Sequence, residues 1–272
     1  VVGAGPAGLE AARALGQRGY EVHLSEADRE LGGRVLKEGR LPGLAEWVRV
    51  RDWRVGQIEK MSTVTVYRES PITVDEVLEF GAERVVLATG AHWRRDGRGR
   101  ANGSGVLGLG AIALTPDDVM EGRVPTGHVV IFDDDAFYMG SLMAEAVGRA
   151  GGTATIVTPD DVVASWSANS LDFRHLQKRL YSLGVAQLTA HNIIEAGAGG
   201  LQLAHVWSGV RQDLACDAVV CVTSRTPHDA LEKALVDRQD EWQAAGVLDV
   251  RCIGDALAPG LIAHAVYAGH RY

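Results

Sequence analysis

The sequence predicts an α/β fold of two parallel-sheet domains, with the second inserted into the first. Three observations predict it. A unit of strand, glycine turn, helix and strand opens the chain at residues 1–25, a similar unit covers residues 128–158, and a strand at residues 250–253 returns to the first domain. We therefore expect a first domain of residues 1–114 plus 247–272 and a second domain of residues 115–246.

Composition excludes several function classes. The formal net charge of −8 disfavours nucleic acid and anionic membranes as partners, because phosphate affinity depends on clustered Lys and Arg. The sequence has no run of 18 apolar residues and no signal-peptide pattern, so we expect a cytoplasmic protein without membrane insertion. Cys216, Cys221 and Cys252 are too few for a disulfide framework and lack metal-ligand spacing, so no metal site is predicted.

The first unit carries a dinucleotide-binding fingerprint. Gly3, Gly5 and Gly8 form a GxGxxG pattern at the start of a helix, and Glu26 follows Gly8 by 18 residues at the end of the next strand. Gly3 permits a tight turn, Gly5 lets the backbone approach a pyrophosphate, and Gly8 lets helix and strand pack closely. Glu26 can accept hydrogen bonds from ribose hydroxyls, and its charge disfavours a 2′-phosphate.

Two later segments end in turns of the same kind. The buried strand at residues 84–87 leads into an Ala-Thr-Gly turn, and the strand at residues 250–253 leads into Gly254 and Asp255. Ligands of open parallel sheets bind at the carboxyl ends of the strands, so both turns can lie beside the same nucleotide. Asp255 could serve the nucleotide or the N-cap of the helix that follows.

The second unit lacks the fingerprint. After the strand HVVIF the turn contains Asp133, Asp134 and Asp135, where glycines and a pyrophosphate would otherwise meet. Three acids at this place would repel phosphate, so we expect no productive NAD(P)H binding there. We expect the turn to be a solvated loop rather than a metal site, and residues 137–139 to fill the volume of the nicotinamide.

Other segments have structural interpretations. Residues 1–2 are too short for a strand, so we expect the chain to be an excised segment. A helix is expected at residues 228–245. We expect tryptophans 47, 53 and 93 to pack against a missing domain, and we assign no catalytic role to histidines 92, 264 and 270. The basic loop that carries Arg94, Arg95, Arg98 and Arg100 is expected to be solvated.

These motifs resemble the glutathione-reductase-like flavoproteins, which have two Rossmann-like nucleotide-binding domains. In that group a Gly-Gly step follows the acidic strand end, matching Gly32, Gly33 and Arg34 here, and main chain near Ile72 would contact adenine. The resemblance implies that the Ala-Thr-Gly and Gly-Asp turns close over the nucleotide. The cofactor-binding residues expected are Gly3, Gly5, Pro6, Ala7, Gly8, Glu26, Gly33, Arg34, Ile72, Ala88, Thr89, Gly90 and Asp255.

More specific segments resemble the trimethylamine dehydrogenase family, which includes dimethylamine, histamine and dimethylglycine-type dehydrogenases and is related to the dienoyl-CoA reductases. They are LPGLAEW at residues 41–47, FDDDAFYMGSLMAE at residues 132–145 and IGDALAPGLIAHAVYAGHR at residues 253–271. Nucleotide binding alone does not require the first two. The resemblance extends over essentially the whole chain.

The resemblance implies a function for the chain as a C-terminal portion. An N-terminal TIM barrel on the same polypeptide would hold FMN and a 4Fe-4S cluster and oxidise an amine, and electrons would pass to an electron-transfer flavoprotein or similar acceptor. This chain would bind ADP or FAD, within a homodimer, and would contribute no catalytic residue. The alternatives are an NADPH-dependent 2,4-dienoyl-CoA reductase-like enzyme and a non-catalytic nucleotide-binding module.

Overall fold

The structure is a computed structural model that describes residues 1–197 and 199–272. Its helices are α1 (Pro6–Gln17), α2 (Arg34–Glu38), α3 (Arg49–Ile58), α4 (Val74–Phe80), α5 (Pro116–Met120), α6 (Met139–Arg149), α7 (Phe173–Ser182), α8 (Ala230–Asp237), α9 (Trp242–Ala245) and α10 (Ile262–Arg271). Its strands are β1 (Val22–Ser25), β2 (Val64–Tyr67), β3 (Arg84–Leu87), β4 (Ala91–Trp93), β5 (Ala113–Leu114), β6 (His128–Asp133), β7 (Thr153–Val157), β8 (Ala186–Leu188), β9 (His191–Gly197), β10 (Gly200–His205), β11 (Arg211–Ala215), β12 (Ala218–Val222), β13 (Arg225–Pro227) and β14 (Asp249–Cys252).

The chain divides into two compact units. The first contains Val1–His92 and Thr226–Tyr272, and the second contains Trp93–Arg225. The units therefore meet after residues 92 and 225, and not at the predicted residues 114 and 247, for two physical reasons. Strand β5 pairs with β12 in the sheet of the second unit, and Leu235 of α8 is fully buried in a core cluster of the first unit with Val85 and Leu87.

The first unit is built on parallel strands. β1 pairs with β2, β3 pairs with β14, and Val2 bridges Ser25 of β1 and Leu87 of β3. Along β3, Val85 and Leu87 face the cluster that includes Leu235, while Val86, and Ala88 just after the strand, face the cluster of α1 and α10. This alternation buries both faces of β3, as expected for an interior parallel strand.

Helices α1 and α10 pack closely because one glycine has no side chain. A Cβ placed on Gly269 would lie 2.2 Å from the carbonyl oxygen of Ala7. Pro6 stands in the first turn of α1, where its missing N–H costs no helical hydrogen bond. The amino end of α1 is thereby fixed against α10, which follows the Gly-Asp turn.

The second unit combines a parallel and an antiparallel sheet. The parallel sheet has the strand order β5-β12-β6-β7-β8, and the antiparallel sheet has the order β11-β10-β9. Val130, Phe132 and Cys221 of the parallel sheet share a core cluster with Ile193 and Leu203 of the antiparallel sheet. All residues of β12 are buried, as are those of β6 after His128. These observations confirm the predicted α/β class.

One predicted helix is interrupted. Residues 228–245 form α8 and α9, separated by a short 3-10 turn at Gln239–Glu241. Arg238 stands at the interruption, where its guanidinium binds the carboxylates of Glu241 and Asp75. Among the described residues, no helix has the length and apolar character needed to cross a membrane.

Candidate nucleotide-binding site

The three fingerprint glycines differ in what a side chain at each position would meet. Gly3 has φ +92°, and a Cβ there would lie 2.5 Å from the carbonyl oxygen of Ala88. A Cβ on Gly8 would lie 1.9 Å from the carbonyl oxygen of Gly3. These two glycines are required by the packing of the turn against the Ala-Thr-Gly segment and against itself.

Gly5 is required by nothing in the described part of the chain. Its φ is −70°, which any residue adopts, and a Cβ placed there meets no atom of the described residues within 4 Å. Gly5 is the N-cap of α1, a helix of 12 residues whose amino end carries partial positive charge. Open space at the N-cap of a helix is suited to an anion such as a diphosphate.

Glu26 is held beside this turn. Its side chain is buried, and its Oε2 accepts a 2.7 Å hydrogen bond from the amide of Ala4 inside the fingerprint. Its Oε1 accepts a 3.0 Å hydrogen bond from the amide of Asp28. Because a carboxylate has about four lone-pair sites, Glu26 retains acceptor capacity for ribose hydroxyls.

The Gly-Gly step closes on the same turn. The amide of Gly32 donates to the carbonyl oxygen of Ala4 at 2.8 Å. Gly33 has φ +53°, and a Cβ there would lie 3.2 Å from the Cα of Gly5. The structure therefore brings Gly33 directly against the residue that faces the open space.

Arg34 joins this step to the Gly-Asp turn. Its Nε lies 2.7 Å from Oε1 of Glu38, and its Nη1 lies 3.5 Å from Oδ2 of Asp255. Asp255 also accepts a 2.9 Å hydrogen bond from the amide of Gly260. The N-cap of α10 is Leu261, so the N-cap interpretation of Asp255 is wrong.

The two closing turns lie beside the fingerprint. The amide of Ala88 donates to the carbonyl oxygen of Val2 at 2.7 Å. Gly90 has φ +80°, and the hydroxyl of Thr89 donates to the carbonyl oxygen of His228 at 2.6 Å. A Cβ on Gly254 would lie 2.7 Å from the Cβ of Ala7 in the first turn of α1.

The side chain of Ile72 does not join the fingerprint turn. It packs against the core cluster around Val77 and Val85. The main chain just before it reaches the site, since the amide of Ser70 donates to the carbonyl oxygen of Glu26 at 2.8 Å. Adenine contact by main chain near Ile72 remains a prediction.

The sequence interpretation missed Glu38. Its side chain is fully buried and holds the guanidinium of Arg34 one helical turn earlier. The spacing of Arg34 and Glu38, four residues apart at the start of a helix, was the signal that could have revealed the pair. Burial of Glu38 makes it a positioning partner for Arg34 rather than a ligand.

A cavity of about 880 Å³ lies elsewhere in the first unit. Its lining extends from Val22 to Ser25 along β1 and also includes Tyr67 at the end of β2. The lining contains neither the fingerprint glycines nor Glu26, so this cavity is distinct from the fingerprint turn.

Two of the three cysteines, Cys221 and Cys252, are unsuited to thiol redox chemistry. Cys216, Cys221 and Cys252 are all free. Burial raises the pKa of Cys221 and of Cys252 to about 12, so both thiols stay protonated at neutral pH. The arrangement in the first unit can bind and orient a nucleotide, while a bound cofactor would have to supply redox chemistry.

The triple-aspartate turn of the second unit is not a solvated loop, so that expectation is wrong. Asp133 and Asp134 are both fully buried. Oδ1 of Asp133 accepts hydrogen bonds from the amides of Asp135 and Ala136, at 3.2 and 3.0 Å. Burial, and then the charge of Asp135, raise the pKa of Asp133 to about 8. Asp133 therefore carries little charge at neutral pH.

The basic loop, which in the structure extends over residues 94–105, is largely exposed, as expected, but its arginines are paired. Arg94 pairs with Asp96, and Arg95 makes two 2.8 Å hydrogen bonds to the buried carboxylate of Asp118. The Nε of Arg98 donates to the carbonyl oxygen of Gly103 at 2.8 Å. Each of these arginines has a partner within the second unit.

Comparison with known proteins agrees with this geometry. Residues 1–269 match the family described as "Pyridine nucleotide-disulphide oxidoreductase". Dimethylamine dehydrogenase of Hyphomicrobium sp. (strain x) is 35% identical over 298 residues, which cover 100% of this chain and 40% of that protein. The probable N-methylproline demethylase of Rhizobium meliloti (strain 1021) is 30% identical, with 85% of this chain and 33% of that protein covered.

Solved structures give the same picture. Histamine dehydrogenase from Rhizobium sp. 4-9 superposes with a TM-score of 0.97 at 45% identity, covering 100% of this chain and 42% of that one. The 6-hydroxypseudooxynicotine amine oxidase from Pseudomonas geniculata N1 gives 0.94 at 38% identity, covering 99% of this chain and 40% of that one. The resemblance to amine dehydrogenases is confirmed, and the chain spans less than half the length of these relatives.

Proposed function

Because the chain belongs to the pyridine nucleotide-disulphide oxidoreductase family, we propose that its first unit binds ADP, either free or as the ADP half of FAD. The chain is an oxidoreductase module of flavin-dependent type. One observation carries the proposal for the first unit: Gly5 faces open space at the N-cap of α1, with Glu26 and the Gly-Gly step held around it.

The predicted site residues recognise the ADP half common to both nucleotides. The amino end of α1 would take the diphosphate, and Glu26 would accept from the ribose. A second negative group at the 2′ position would meet the Glu26 carboxylate, which is why the proposal favours ADP or FAD over NADPH. The residues thus fit an adenine nucleotide, and a bound flavin would supply electron-transfer chemistry.

The second unit is proposed to use no nicotinamide nucleotide. In place of a glycine fingerprint it has Asp133, whose carboxyl accepts hydrogen bonds from the amides of Asp135 and Ala136. In a glycine fingerprint, amides at this place would face the phosphate. This supports an amine dehydrogenase-type protein over an NADPH-dependent 2,4-dienoyl-CoA reductase-like enzyme, because the latter requires a working second site.

The function of the whole protein is a further proposal. Relatives named for dimethylamine, histamine and N,N-dimethylglycine or sarcosine support a small amine as substrate. An N-terminal TIM barrel on the same polypeptide would hold FMN and a 4Fe-4S cluster and oxidise the amine. Electrons would pass to an electron-transfer flavoprotein or similar acceptor, and the protein would be a homodimer.

Identification of the bound nucleotide tests the first-unit proposal. The purified chain is denatured, and the released small molecules are identified by mass spectrometry. We expect ADP or FAD in near-stoichiometric amount. A chain that is empty and also fails to bind added ADP or FAD at millimolar concentration would overturn the assignment.

A further inference from the structure

Three neighbouring strands of the second unit end in polar residues. The parallel sheet places β12, β6 and β7 side by side. Ser224 follows β12, Asp134 follows β6 and Asp160 follows β7, each within three residues of the strand end. In an open parallel sheet this carboxyl edge is where a nucleotide binds, with pyrophosphate at one strand end and ribose at the next.

The basic loop makes hydrogen bonds with all three residues. The hydroxyl of Ser224 donates to the carbonyl oxygen of Arg98 at 2.6 Å. Oδ2 of Asp134 accepts from the amides of Ala101 and Asn102, at 2.8 and 3.0 Å. The guanidinium of Arg100 binds the carboxylate of Asp160. The loop therefore crosses the carboxyl ends of three adjacent strands.

Asp134 and the loop depend on each other. The Asp134 side chain is fully buried, and burial raises the pKa of its carboxyl. Two loop amides and the guanidinium of Arg100, whose Nη2 lies 4.0 Å from Oδ1, are the groups that offset this burial. Withdrawal of the loop would leave the Asp134 carboxylate without these donors. The cost of losing them favours the state in which the loop contacts the strand ends.

Gly99 shows how closely the loop fits. A Cβ on Gly99 would lie 2.2 Å from Oδ2 of Asp134. Gly99 is not among the residues with positive φ, so close approach rather than backbone conformation requires glycine here. Gly103 of the same loop also lacks positive φ, and a Cβ there meets no atom within 4 Å in the described chain.

We propose that the basic loop is an internal occupant of the nucleotide edge of the second unit, and that it excludes nicotinamide dinucleotides by filling the place where they would bind. Arg100 takes the carboxylate at the end of β7 that a ribose would use, and the loop amides take the carboxylate at the end of β6. The inference rests on the proposed absence of nicotinamide nucleotide from the second unit and supplies its physical cause.

Occupation by the loop, and not repulsion by the aspartates, is then the physical cause of the exclusion. At neutral pH Asp133 is largely protonated, and Asp134 faces amide and guanidinium donors rather than solvent. Repulsion by three exposed charges is therefore not the main barrier to a dinucleotide.

Hydrogen–deuterium exchange of the chain tests the anchoring, with Gly99→Ala as the variant and Gly103→Ala as the matched control. We expect the amides of Ala101 and Asn102 to be protected in the parent and in Gly103→Ala, and to lose about tenfold in protection in Gly99→Ala. The melting temperature of each variant confirms that it is folded. Equal exchange in both variants, or an unprotected loop in the parent, would overturn the proposal.

NADH titration tests the exclusion, and it is carried out in a Gly5→Ala background so that the first unit does not contribute. Affinity for a site that is open only part of the time rises in proportion to the open fraction. Gly99→Ala should therefore lower the Kd for NADH by the same factor by which it lowers protection, while Gly103→Ala leaves the Kd unchanged. A released loop with unaltered NADH affinity would contradict the proposed exclusion.

The two proposals fail in different ways. Stoichiometric NADH binding in the Gly5→Ala background with an intact, protected loop would overturn both the proposed absence of nicotinamide nucleotide and the exclusion by the loop. Loss of protection in Gly99→Ala without any gain in NADH affinity would overturn the loop alone, because the second unit would still bind no dinucleotide.

Discussion

Substitution of Gly5 by alanine should separate nucleotide binding from folding. The new methyl group enters space in which the described chain has no atom within 4 Å, and the backbone φ of −70° suits alanine. Alanine is a poorer N-cap than glycine, so we expect a loss of at most about 1 kcal/mol in the free energy of unfolding. The fold should therefore survive the change.

The effect on ADP binding should be much larger. A methyl group at this place keeps a diphosphate away from the amides at the start of α1. Loss of about two charge-assisted hydrogen bonds at about 1.5–3 kcal/mol each amounts to about 3–6 kcal/mol. This corresponds to a rise in the Kd for ADP of about 100-fold or more.

Isothermal titration with ADP and thermal melting of the unliganded chain measure the two effects. Gly56→Ala is the matched control, because its Cβ in α3 also meets no atom of residues 1–197 and 199–272 within 4 Å, and it should bind ADP like the parent. Gly8→Ala is the opposite case, because its Cβ would lie 1.9 Å from the carbonyl oxygen of Gly3, and it should lower the melting temperature. Parent-like ADP affinity in Gly5→Ala would show that the diphosphate does not approach Gly5.

Three further variants test other parts of the account. The pKa of Asp133 is raised from 3.8 to about 8. Between these pH values the folded chain binds one more proton than the unfolded chain. The free energy of unfolding therefore falls by about 1.4 kcal/mol per pH unit as the pH rises from 3.8 to about 8. Asp133→Asn should therefore raise the melting temperature more at pH 8.5 than at pH 5, and an equal gain at both pH values would contradict the buried neutral acid. Glu26→Gln should weaken ADP binding about tenfold and reduce the preference for ADP over 2′-phosphorylated analogues. Titration with both nucleotides measures this preference. An unchanged preference would show that Glu26 does not contact the ribose. Gly269→Ala should destabilise the first unit by about 1–3 kcal/mol, because its Cβ would lie 2.2 Å from the carbonyl oxygen of Ala7; denaturant unfolding measures the loss, and parent-like stability would contradict the close packing of α1 on α10.

The geometry of the fingerprint turn could be predicted from the sequence because its parts are local. The fingerprint turn, the helix after it and Glu26 lie within 26 residues, and each has a residue type with a known task. The pattern also assigns open space to Gly5 and close packing to Gly8, and the structure has the same contrast. It does not reveal that Gly8 packs against the carbonyl oxygen of Gly3, because that contact depends on how the turn closes in three dimensions.

The second site could not be predicted in the same way. Acidic residues are usually exposed, so a triple-aspartate turn predicts solvent exposure. Asp134 is buried instead because its donors, Ala101 and Asn102, lie more than 30 residues earlier in the chain. The interruption of the helix at Arg238 has a similar cause, since one partner, Asp75, is 163 residues away. No local pattern encodes such distant partners.

Native mass spectrometry of the chain with ADP and NADH measures the occupancy of both units in one experiment. We predict one bound ADP, lost in Gly5→Ala and kept in Gly56→Ala, and no NADH adduct on the second unit. A chain that takes up no ADP, or an NADH adduct that persists in Gly5→Ala, would contradict this prediction.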